Sequence, residues 1–107
     1  MGIDPQSIEH IKAEIVAGRL RLPGKLTALA HWTFENPAEV ALATALSLAR
    51  QCDVPPSAVQ RLASALGFTG FRRMKAAYRV HAARQAARGR SFQQRMLALD
   101  PQAESVE

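Results

Sequence analysis

Apolar residues recur at helical spacing along most of the chain, and nowhere do they alternate as on a half-buried strand. Ile8, Ile11 and Ile15 share one face of a helix predicted over 7–17, with Ser7 as its cap and Gly18 as its stop. Leu22, Leu26, Leu29, Ala30 and Thr33 make the next stripe, with Trp32 and Phe34 at its edges. That helix ends near Glu35, because Pro37 drives Asn36 out of helical angles. Pro37 can itself open a short turn of helix to about Ala41. Thr44 is placed to cap a helix over 44–51, on which Ala45, Leu48, Ala49 and Cys52 face inward. After Asp53-Val54-Pro55-Pro56, the stretch 56–66 places Val59, Leu62, Ala63 and Leu66 on one side, and Gly67 ends it. A long helix then runs from Phe71 to about Arg88 on Phe71, Met74 and Tyr78, capped by Thr69. Gly89 is expected to interrupt it, and Ser91 to cap a last short piece with Phe92, Met96 and Leu99.

The expectation is an all-α, compact five- to six-helix bundle. Twenty of the 107 residues are Ala, the best helix former, which suits close-packed helices better than a sheet. The pattern divides the chain into an N-terminal helix (1–21), a central domain (22–84) and a helical tail (85–107). No apolar run approaches the roughly 20 residues a membrane span needs, and the N-terminus lacks the signature of a signal peptide. A lone cysteine, Cys52, excludes an internal disulfide, and it reads as a small core residue rather than a redox sensor. His10, His31 and His81 fall on three segments and make no metal or catalytic cluster. No paired carboxylates, nucleophile–base pair or Gly-rich phosphate loop appears, so the chain does not read as an enzyme. A cytoplasmic domain without cofactor or membrane partner is the default.

Charge changes this picture. The net charge is +5, but 50–95 holds ten basic residues against Asp53 alone, a net of +9. Residues 1–49 carry −1 and 96–107 carry −3. A polyanion is the natural partner of such a block.

The block contains two short helices joined by a tight turn. Ala49 is small where the helices must approach, Val54 plugs the turn, and Val59 with Leu62 locks the second helix. This is the pattern of a helix-turn-helix, here in a three-helix core of winged-helix or homeodomain kind without a sheet. Asp53 stands where Gly commonly supplies a positive φ, a region Asp tolerates better than most residues. Ser57, Gln60, Arg61 and Ser64 share the polar face of the second helix at i, i+3, i+4 and i+7. Such side chains can read base edges in the major groove. Arg72, Arg73 and Lys75 crowd the start of the long helix, where cations oppose the macrodipole unless an anion compensates. With Thr69 they are the candidates for phosphate contact, and Lys25 and Arg50 are weaker ones.

Residues 22–84 resemble the N-terminal helix-turn-helix domain of RpiR/MurR-type transcriptional regulators. The resemblance rests on the run from Val54 through Gly67-Phe68-Thr69-Gly70-Phe71, on Glu35-Asn36-Pro37 upstream, and on Leu48-Ala49. Arg61 matches the family's recognition-helix Arg. Asp53, Ala58, Gln60, Arg72 and Arg73 depart from it, which touches the operator sequence rather than the binding mode. The resemblance implies a bacterial regulator of sugar or sugar-phosphate genes, binding double-stranded operator DNA as a homodimer. It also implies a phosphosugar effector held by a C-terminal sugar-isomerase-type (SIS) domain, so the chain is expected to be an N-terminal reading head. Leu46, Phe92, Met96 and Leu99 are the candidates for dimer contact. Those same apolar positions also fit the alternative, a helical interaction or dimerisation module without DNA binding.

Overall fold

A computed structural model describes residues 7–99, with side chains up to residue 90. Six helices follow in order: α1 (Ile8–Val16), α2 (Gly24–Glu35), α3 (Pro37–Leu42), α4 (Ala45–Cys52), α5 (Pro56–Ala65) and α6 (Phe71–Leu99). No strand occurs among the described residues, and none of their helices is long and apolar enough to cross a membrane.

The helix ends follow from local chemistry. Ser7 Oγ accepts from His10 N–H at 3.1 Å and starts α1. Asn36 leaves the helical region at φ −130°, as the residue before Pro37 must, and separates α2 from α3. Three helices close in the same way. After α1, α4 and α5, a residue with positive φ turns the chain, at Gly18 (81°), Asp53 (57°) and Gly67 (96°). The next residue donates back to a carbonyl five positions earlier: Arg19 to Glu14 at 2.9 Å, Val54 to Ala49 at 2.9 Å, and Phe68 to Ala63 at 2.9 Å. These are Schellman closures, which satisfy carbonyls that the helix itself leaves open.

One core joins the helices. Ile8 and Ile11 of α1, Leu26, Leu29 and Ala30 of α2, Val40 of α3, and Leu48 and Ala49 of α4 belong to it. Val59, Leu62 and Ala63 of α5 and Phe71, Met74 and Tyr78 of α6 complete it, with Leu66 and Phe68 between them. Ile15, Trp32, Phe34, Ala45, Cys52 and Val54 are only partly buried around it. A polar pair lies inside: Thr33 and Tyr78 are both 0% exposed, and their hydroxyls are 2.6 Å apart. Burial pushes the Tyr78 phenol well above its ordinary pKa.

Three expectations are corrected. Gly89 does not end the long helix, and no separate helix begins at Ser91, because α6 runs unbroken to Leu99. A single Gly costs a helix only about 1 kcal/mol relative to Ala, and strong helix formers flank this one. Leu22 is not the first turn of α2, which begins at Gly24; it packs on the core from the preceding loop. Thr69 does not cap α6. Gly70 fills that place, its carbonyl accepting from Met74 N–H at 3.2 Å, and Thr69 lies one residue too early.

Candidate nucleic-acid interface

Thr44 makes a reciprocal cap on α4: its Oγ1 accepts from Ser47 N–H at 3.0 Å, and its own N–H donates to Ser47 Oγ at 2.9 Å. At the other end Asp53 takes left-handed angles, φ 57° and ψ 49°, which is the conformation its position demands. Pro55 then stands at the N-cap of α5 and Pro56 in its first turn, where the missing N–H leaves no orphan donor. Ala49 at 1% exposure and Val59 and Leu62 at 0% make the contact between the two helices. The turn between Cys52 and Pro56 is therefore tight and closed by hydrogen bonds. This is helix-turn-helix geometry, and it fixes which face of α5 looks outward.

That outward face carries Ser57, Gln60, Arg61 and Ser64, all four exposed. No acidic residue occurs on α5. Gln60 leans toward the start of α6: a Cβ on Gly70 would come 3.9 Å from its Oε1. Gln60 also lines a recess with Thr44, Gly70, Arg72 and Lys75. A neighbouring recess holds Thr69, Arg72 and Arg73. The fold thus gathers the N-termini of α4 and α6 and three cations beside the α5 face. Lys25 and Arg50 line neither recess.

Among the described residues, the charges there have no carboxylate partner. The described ion pairs are His10–Glu14, Arg19–Glu14, His31–Glu35 and Arg88–Glu9. Arg61, Arg72, Arg73 and Lys75 take part in none of them. Arg72 and Arg73 stand in the first turn of α6, where the helix dipole already makes the potential positive. An anion at this point gains from the side chains and from the backbone N–H groups alike.

Thr44 was legible as a cap but not as part of this recess, and Gly70 was legible only as part of the Gly67–Phe71 run. No local pattern ties either one to Gln60, since that meeting depends on how α4, α5 and α6 pack. Arg79, counted only as charge in the sequence, donates from Nε to the Ala41 carbonyl at 3.5 Å and helps hold α3 on α6.

Other candidates fall elsewhere. Leu46 is 49% exposed on α4, and Leu42, at the end of α3, is 85% exposed. Phe92, Met96 and Leu99 lie outside the residues whose side chains are described. Burial raises the Cys52 thiol above its ordinary pKa. His81 is buried at 5% exposure, burial lowers its pKa, and its Nε2 finds no hydrogen-bond partner. Among the described residues, no three His, Cys, Asp or Glu side chains stand together as metal ligands would.

No protein-family model matches the chain, and no curated protein or solved structure matches it.

Proposed function

We propose that this chain is a sequence-specific DNA-binding domain of a bacterial transcriptional regulator of the RpiR/MurR kind. One observation carries the reading. A helix with only neutral and basic side chains outward is presented by a tight helix-turn-helix, beside Arg72, Arg73 and Lys75, which have no carboxylate partner among the described residues. In this reading α5 enters the major groove and Arg61 and Ser64 meet base edges, with Ser57 at the entering end. Arg72, Arg73 and Lys75 hold the phosphate backbone, and Gln60 sits between the two sets of contacts. A homodimer would present two α5 helices to half-sites one helical turn apart, and a phosphosugar effector would act through a further SIS domain.

The test is titration of duplex DNA, selected from random sequence, at several salt concentrations. Arg61→Ala should cost about 1–3 kcal/mol on the selected site and relax its sequence preference. Arg73→Ala should weaken all duplexes alike and reduce the salt slope by about one. A chain that binds no duplex, or binds with no salt dependence, refutes the proposal. The outward Leu42 and Leu46 would then favour the interaction module.

A further inference from the structure

α1 is apolar on more than one side. Ile8 and Ile11 are buried in the core, and Ile15 is partly buried. Yet Ala13, Val16 and the C-cap residue Ala17, three and four positions apart, are exposed. Val16 is 87% exposed. A solvent-facing helix ordinarily turns charged or polar residues outward, so an apolar outer stripe asks for cover.

Next to that stripe a cleft of about 360 Å3 opens between α1 and α2. Ile15, Ala30 and Phe34 line it, and Val16 stands on its α1 wall. The two walls carry opposite charge. Lys12 is on α1, with no carboxylate partner among the described residues and its Nζ 5.8 Å from the centre of the Phe34 ring. Glu35 is on α2, exposed and, among the described residues, paired with His31 alone at 3.1 Å, an ion pair only when that histidine is protonated.

We propose that a second copy of this chain docks in the α1–α2 cleft by two-fold symmetry. An axis lying in the plane of the cleft mouth and running along the cleft lays α1 of each copy over α2 of the other. Val16 of each copy then fills the cleft of its mate against Ala30 and Phe34. Lys12 of each copy faces Glu35 of the other. A knob beside its own hole is what an isologous contact requires. The charges set the register, because an axis along the α1 ridge would bring Lys12 against Lys12. This surface lies on α1 and α2 and shares no residue with the outward face of α5. It takes from the DNA-binding reading only the expectation of a two-fold partner, and it is tested without DNA.

Sedimentation velocity on the full 107-residue chain over a wide concentration range reads the contact directly. A concentration-dependent dimer is expected. Val16→Asp should abolish it while leaving helicity and the melting of dilute protein unchanged, since Val16 touches solvent in the single copy. Lys12→Glu and Glu35→Lys should each raise the dissociation constant about tenfold, and the two together should restore it. A chain that stays monomeric throughout overturns the proposal. So does a dimer indifferent to Val16→Asp, or a double charge exchange that fails to rescue. Loss of duplex binding with self-association intact would instead strike only at the DNA-binding reading.

Discussion

The hydroxyl pair at the centre of the core has a direction, and that direction can be tested. Thr33 Oγ1 lies 2.7 Å from the Ala30 carbonyl and 2.6 Å from Tyr78 Oη. The carbonyl can only accept, and Thr33 has one hydrogen to give. Thr33 therefore donates to Ala30, and Tyr78 donates to Thr33. The two substitutions that break the pair are then unequal. Tyr78→Phe removes the outer donor and leaves Thr33 still bonded to Ala30, which costs about 0.5–1.5 kcal/mol. Thr33→Val keeps the side-chain shape but strands the Tyr78 hydroxyl where no water reaches, which adds a desolvation cost of about 1–3 kcal/mol. The double variant strands nothing, so its cost should be smaller than the sum of the singles. Urea and thermal unfolding followed by circular dichroism measure all three. Each kcal/mol should move Tm by about 4–8 °C in a domain of this size. If Thr33→Val costs no more than Tyr78→Phe, or the two costs simply add, the proton order is wrong.

Three further outcomes follow from the same structure. At Gly67 an added Cβ meets nothing within 4 Å, so Gly67→Ala isolates backbone strain at φ 96° and should lower stability by roughly 1 kcal/mol. Asp53→Gly, read by the same urea unfolding, should change stability by less than about 0.5 kcal/mol, because relief of strain is offset by a freer unfolded chain. Burial lowers the pKa of His81, with Lys12, Arg88 and Arg84 acting in the same direction and Glu9 against it. Its folded pKa lies below the ordinary 6.5, so below that pH the unfolded chain binds the proton first and stability falls as pH falls. His81→Leu should flatten that slope in unfolding experiments between pH 7 and the carboxylate range.

What the sequence showed and what it hid divide by distance along the chain. Ser7, Thr44, Asp53 and Gly67 act within a few residues of themselves, and each does in the structure what its local chemistry implied. The outward face of α5 was legible for the same reason, since a helical period needs only the helix. Gly89 misled because a breaker was weighed without its neighbours; the Ala- and Arg-rich flanks outlast one unfavourable residue. Thr69 misled by a single position, the usual uncertainty of a helix start. The pairing of Thr33 with Tyr78 spans 45 residues, and the recess around Gln60 joins three helices. Neither leaves a periodic trace. The α1–α2 cleft was hidden likewise, although exposed Val16 beside three buried or half-buried isoleucines is a sign that could have been read.

The continuity of α6 has a mechanical consequence. Twenty-nine residues without a break make a rod about 42 Å long from Phe71 to Leu99. Its first turns carry Met74 and Tyr78 in the core and Arg72 and Arg73 at the surface. A rod has no joint at which movement can be absorbed. The direction of the chain near Leu99 is therefore tied to that of the turn carrying the arginines, with no loop between them. Gly89, which looked like the place to bend, is a position where that tie could be cut by one substitution to Pro.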